Sequence, residues 1–112
     1  MPALQVNDIQ MYYEMHGEGK PLVLIGGLAS DLSEMESMSH WLAQTYRVVV
    51  FDNRGAGRTD KPDIPYSIEM MTDDMEGLLD ALAIERASIL GISMGGRIAL
   101  EYALRHPELE LD

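Results

Sequence analysis

Apolar residues recur along this chain in distinct rhythms, and each rhythm predicts an element. "PLVLIGG", "RVVVFD" and "ASILGI" are apolar runs without alternation. Such runs fit strands covered on both faces, as in a parallel sheet. Leu4–Asn7 and Ile9–His16 mix polar and apolar positions and meet at the turn-prone pair Asn7-Asp8. They predict two short strands at an antiparallel edge. Elsewhere the period lengthens to that of a helix. Ser67 offers a cap, and Ile68, Met71, Met75, Leu78, Leu79 and Leu82 then line one face. Gly77 inside that helix costs ~1 kcal/mol relative to Ala, which predicts a close neighbour. "GGRIALEYALRH" predicts a further helix, stopped by Pro107. A shorter one starts at Asp31, with Glu34 three residues on in a capping-box pattern. Its apolar positions are Leu32, Met35, Trp41 and Leu42.

In order, the chain reads as two leading strands and then strand-helix-strand-helix-strand-helix. That alternation specifies an α/β fold: a mostly parallel sheet with helices on both faces and antiparallel leading strands. No repeat, low-complexity tract or linker interrupts it, so residues 1–112 read as one unit.

Composition narrows the function. A 46% apolar, 24% charged chain is globular rather than disordered. A net charge of −11 argues against nucleic acid or an anionic membrane as partner, since both require a basic face. No apolar run approaches the ~20 residues of a membrane helix, and "MPALQVND" does not read as a signal peptide. The absence of cysteine excludes disulfides and thiolate metal sites and fits a cytoplasmic protein. No histidine spacing suggests a metal site.

The chemistry concentrates in "GISMGG", Gly91–Gly96. A strand runs into Ser93 and a helix runs out of it. A serine on so sharp a turn is forced into a strained backbone conformation, and flanking glycines remove Cβ atoms that would collide. The turn lifts the hydroxyl to the carboxyl end of the sheet. It also places Ser93 at a helix N-terminus, which favours developing negative charge. The bland alternative is a glycine-rich turn whose serine only caps the helix.

These residues resemble the N-terminal half of an α/β-hydrolase fold. "GISMGG" resembles the superfamily's nucleophile elbow, "LVLIGGLAS" its oxyanion loop, and "VVVFDNRGAGRTDKP" the loop after its fourth strand. The stretch from Tyr66 to Glu108 is similar to the enol-lactonase and cofactor-free haloperoxidase-like branches. The resemblance implies Ser93 as nucleophile, with the Met94 and Leu28 backbone N–H groups as oxyanion donors. Gly91 and Gly95 match the elbow glycines. Gly26 and Gly27 match the oxyanion loop, where the family carries a His-Gly pair and this chain has Gly-Gly. Asp52 and Arg54 are expected to hold their loop together rather than to do chemistry. The implied activity is cofactor-free hydrolysis of a small carboxylic ester or lactone. A serine at the elbow points away from the aspartate-based dehalogenation found in the same superfamily.

The rest of a triad is harder to find. In this fold the order is Ser, then Asp or Glu, then His. Only 19 residues follow Ser93, and they contain one histidine, His106. Thirteen residues of helix at ~1.5 Å each put it roughly 20 Å away. Glu101 shares that helix, and Glu108, Glu110 and Asp112 lie beyond it. His16 and His40 fall outside the family's base position and read as surface or capping residues. The expectation is a partial hydrolase domain, lacking the acid and the histidine, whose missing C-terminal half or a second copy covers an open sheet edge at Ala87–Ile92 and exposed apolar surface around Ile98, Ala99 and Tyr102 of the last helix. The alternative is a non-catalytic α/β-hydrolase-like binding or assembly module.

Overall fold

The computed structural model describes residues 3–27 and 35–106. The leading strands are β1 (Ala3–Val6) and β2 (Ile9–His16), followed by β3 (Pro21–Ile25), α1 (Glu36–Leu42) and β4 (Arg47–Phe51). Then come α2 (Ile68–Ala81), β5 (Ser88–Gly91) and α3 (Met94–Arg105). The strands form one sheet in the order β1-β2-β4-β3-β5. β1 and β2 pair antiparallel through the turn at Asn7, whose φ is 53°. β2 joins β4 antiparallel, whereas β3 runs parallel to both β4 and β5. The continuous apolar runs are therefore the parallel strands, and the mixed-polarity strands are the antiparallel edge.

Alternation along the central strands divides the core in two. Val23, Ile25, Val49 and Phe51 face α2 and α3, packing with Met71, Met75, Leu78 and Ile98. Leu22, Leu24, Val48 and Val50 face the other way, against Met35 and Leu42 at α1. Helices thus cover both faces, as expected. The Ser67 hydroxyl caps α2 by accepting the Met70 N–H at 3.0 Å. Gly77 has its predicted close neighbour: a Cβ there would stand 2.6 Å from Val6 Cγ1. That contact lets α2 lie against β1.

Two expectations are corrected, and a third falls outside the description. Trp41 is 69% exposed rather than part of the apolar face of α1. The buried stripe is Met35, Ser39 and Leu42, at i, i+4 and i+7, and Trp41 sits about 120° away from that line. On α3, Ile98 is fully buried under the sheet and α2 rather than exposed. The apolar residues presented outward are instead Leu100 and Leu104, at 61% and 69% exposure. Asp31, Leu32 and Glu34, the expected start of the first helix, lie outside the described residues, as do Glu108, Glu110 and Asp112.

Candidate active site

Ser93 stands between β5 and α3 with φ 59° and ψ −120°, a conformation that costs an L-residue of order 1–3 kcal/mol. Its neighbours hold it there. The Ile92 N–H donates to the Ile25 carbonyl at 2.9 Å, which ties the turn to the end of β3. The Gly95 and Gly96 N–H groups donate to the Ile92 and Ser93 carbonyls, each at 2.9 Å, which starts the helix tightly. No side chain fits at the flanking glycines. A Cβ on Gly91 would lie 2.2 Å from the Gly95 carbonyl oxygen, and one on Gly95 would lie 2.2 Å from that of Ile25. The backbone is thus compressed on both sides of a residue whose own side chain stays exposed.

That side chain makes no capping hydrogen bond. A serine that merely capped α3 would accept one, so the bland alternative loses its support. Ser93 instead lines an open cleft of about 490 Å³ with Ile68, Met94 and Arg97. Met94 is the first residue of α3, where N–H groups lack partners four residues back and the helix dipole favours an anion. Gly26 and Gly27 follow β3 directly, beside the turn at Ser93: the Cβ missing from Gly95 would also lie 2.8 Å from the Gly26 oxygen. Leu28 lies outside the described residues.

The loop after β4 behaves as expected of a scaffold. Asp52 Oδ2 accepts the Arg58 N–H at 2.9 Å, and the Thr59 hydroxyl donates to the Asp52 carbonyl at 2.7 Å. That hydroxyl also accepts the Tyr12 N–H at 2.9 Å, so the loop is stitched back to β2. Arg54, nearly inaccessible, grips Asp74 of α2 with two bonds: Nε to Oδ2 at 2.7 Å and Nη2 to Oδ1 at 2.8 Å. Nη2 also reaches Asp8 at 2.8 Å. The Asp74 carboxylate raises the guanidinium above its ordinary pKa, against burial, which lowers it. Asp74 was missed in the sequence reading. The available signal was a charged residue three positions after Met71, on the apolar face of α2.

None of the three histidines joins Ser93. His106 sits at the far end of α3 and bonds Glu76. His16 bonds Glu14 at 2.9 Å and meets His40 edge-on at 5.8 Å, around a separate cleft of about 420 Å³ between β2 and α1. Glu101 is paired with Arg105 at 3.0 Å. Among the described residues, no group of three or more histidines and carboxylates is placed to hold a metal ion. No helix among them is long and apolar enough to cross a membrane.

Comparison with known proteins agrees with this geometry. A family model described as the alpha/beta hydrolase fold matches residues 20–109. A putative carbamate hydrolase, RutD of Azorhizobium caulinodans, is 36% identical over 108 residues, which are 96% of this chain and 41% of that protein. The enol-lactonase of Burkholderia xenovorans superimposes with a TM-score of 0.91 at 37% identity, covering 96% of this chain and 43% of the enzyme. Est816, described as an N-acyl homoserine lactone degrading enzyme, gives a TM-score of 0.90 at 37% identity, with 98% and 42% covered. The chain spans about two fifths of the length of these relatives. It belongs to the alpha/beta hydrolase fold family.

Proposed function

We propose that Ser93 is the nucleophile of a serine hydrolase acting on small carboxylic esters or lactones. The observation that carries this reading is the strained, exposed, uncapped Ser93 between β5 and α3. Relatives named for lactone hydrolysis favour the lactone class. In the proposed reaction Ser93 Oγ attacks the carbonyl carbon and its proton passes to a base. The new C–O bond leaves an oxyanion, which accepts the N–H groups of Met94 and Leu28. Expulsion of the alcohol leaves an acyl-serine, and water releases the acid.

The base and its orienting carboxylate are not found beside Ser93: His16 bonds Glu14, His106 bonds Glu76, and His40 lies against His16. We assign them to sequence of the kind that fills the other three fifths of the relatives, in the same polypeptide or a separate one. That sequence, or a second copy of this chain, would also cover the far edge of β5, where Leu90 and Ile92 are exposed.

The test is complementation. The 112-residue chain alone should turn over aryl esters near background, because a serine without its base is a weak nucleophile. A separate polypeptide supplying the acid and histidine should restore turnover, and Ser93→Ala should remove it again. Robust Ser93-dependent turnover by the chain alone would mean a base lies within it. Stable binding of the second polypeptide with no activity would favour a binding or assembly module.

A further inference from the structure

Asn53 follows Asp52 in the scaffold loop after β4, yet its side chain leaves that loop. It is only 3% exposed, and its Nδ2 reaches across to the Gly26 carbonyl at 3.5 Å. Its Oδ1 is buried and has no partner. A buried, unpaired amide oxygen is a standing cost that an apolar residue of the same size would avoid. What the side chain contributes is therefore its donor, and the donor meets the first residue of the oxyanion loop.

The geometry of a peptide unit makes that contact consequential. The Gly26–Gly27 bond is trans, so its C=O and N–H point in opposite directions. Holding the Gly26 oxygen towards Asn53 turns the Gly27 N–H away from it and fixes the plane of that peptide. Glycines offer no side chain to set this plane, and both are intrinsically free to rotate. The same Gly26 oxygen lies beside Gly95, so Asn53, the oxyanion loop and the elbow meet at one point where β3, β4 and β5 end.

We infer that Asn53 is a positioning residue: its amide holds the Gly26–Gly27 peptide so that the loop presents its N–H groups to the oxyanion formed at Ser93. The inference rests on the assignment of Ser93 as nucleophile. The role assigned to Asn53 is exercised through the Gly26–Gly27 peptide.

The chain's lack of a base helps the experiment. Serine hydrolases stripped of triad members retain roughly 10³–10⁴-fold over water, supplied by the oxyanion hole and binding. Residual reactivity of Ser93 is therefore a direct reading of the oxyanion donors. The probe is an aryl-alkyl fluorophosphonate, followed by intact mass on the 112-residue chain, with Ser93→Ala as control. The Ser93 Oγ–P bond forms, the P–F bond breaks, fluoride leaves and the hydroxyl proton passes to solvent. Asn53→Ala should slow the limiting rate at saturating probe by roughly 10- to 100-fold, less than the ~10²–10³ of deleting a donor outright. The half-saturating concentration should stay unchanged.

Asn53→Asp keeps the shape and replaces the donor with a carboxylate that repels the Gly26 oxygen. It should label as slowly as the alanine variant near neutral pH. As pH falls, the new carboxyl gains a proton that it can donate, and the rate relative to wild type at the same pH should recover. The comparison is made at pH values where circular dichroism shows Asn53→Asp as folded as wild type, because a buried carboxylate also destabilises the fold and its protonation relieves that cost. In parallel, the Gly26 carbonyl ¹³C resonance should shift in both variants. Labelling of Ser93 at the wild-type rate in both variants, or an unmoved Gly26 resonance, would overturn the role of Asn53 and leave the nucleophile standing. A wild-type chain that forms no Ser93 adduct even with the polypeptide supplying the acid and histidine present would instead remove the nucleophile, and the positioning role with it.

Discussion

The ends of β4 and β5 lie on the same edge of the sheet, one strand apart, and treat polar residues in opposite ways. After β4, Asp52, Asn53, Arg54 and Thr59 are all at most 3% exposed, and most of their polar atoms are spent on neighbours. After β5, Ser93 is exposed, its backbone is strained, and its hydroxyl caps nothing. The β4 loop contains the charges, yet it is scaffold. The β5 turn contains one neutral hydroxyl, yet it is the candidate for chemistry. What separates them is whether a group's bonding capacity is used up by the fold. Arg54 has its carboxylates on two sides. Ser93 is held in a costly conformation by its neighbours and left facing a cleft.

The widest separation between the two regions is energetic. Arg54→Ala would leave the Asp74 carboxylate buried without a counter-charge, held only by the Asn7 amide at 3.4 Å, which typically costs about 3–5 kcal/mol. Thermal unfolding should fall by more than 10 °C, given roughly 4–8 °C per kcal/mol for a domain near this size. Replacing both partners, as Arg54→Leu with Asp74→Leu, should cost much less than either single change, since no lone charge remains. Neither variant should alter the rate at which folded molecules label at Ser93. A loss below about 1 kcal/mol in Arg54→Ala would show that the grip on Asp74 contributes no more than a surface pair.

This scaffold also marks how far the sequence could be read. The three apolar runs, the polar leading strands and the long amphipathic helix each follow from a local period, and each appears where the period put it. The strand–turn–helix around Ser93 is legible for the same reason: its glycines, serine, strand and helix are consecutive. Arg54–Asp74 and Asn53–Gly26 join positions 20 and 27 residues apart, and no local period encodes such a pairing. Ile98 and Trp41 fail differently. An apolar residue on a short helix can face either way, and which stripe turns inward is set by what packs there. The sheet and α2 claim Ile98, whereas α1 buries Met35 and Leu42 and leaves Trp41 out.

The strain at Ser93 can be isolated from its chemistry. Ser93→Gly removes the Cβ that makes φ 59°, ψ −120° costly, and Ser93→Ala keeps it. Both delete the hydroxyl. Glycine gives back part of the gain through greater freedom in the unfolded chain. The net expectation is that Ser93→Gly is more stable than Ser93→Ala by about 1 kcal/mol, with neither forming an adduct. The corresponding change after β4, Thr59→Ala, should run the other way, because it removes a hydroxyl bonded at 2.7 and 2.9 Å. Equal stability of the two Ser93 variants in urea would mean the turn stores no strain at that residue.

The smallest effect lies at the exposed rim of the same scaffold. A hydrogen bond from Arg54 holds the Asp8 carboxyl below its ordinary 3.8, helped by a backbone N–H and slightly opposed by desolvation. At Glu14 burial raises the carboxyl, but the Tyr12 hydroxyl and His16 together pull it below 4.5. Both groups bind protons less readily folded than unfolded. Around their ordinary values the unfolded chain therefore carries more protons, and stability rises with pH there. Each contribution is fully present above the unfolded value and is lost as pH falls through the lower folded one. Urea melts between about pH 2 and 6 should show this loss on the acid side and little change above it. Asp8→Asn should flatten the slope slightly, because Asp8 is exposed and screened. In an Arg54→Ala background the same substitution should change the slope less, since the main donor that shifts Asp8 is gone and only the backbone N–H remains. A slope left untouched by Asp8→Asn in the wild-type background would remove Asp8 from the scaffold and confine the network to Arg54 and Asp74.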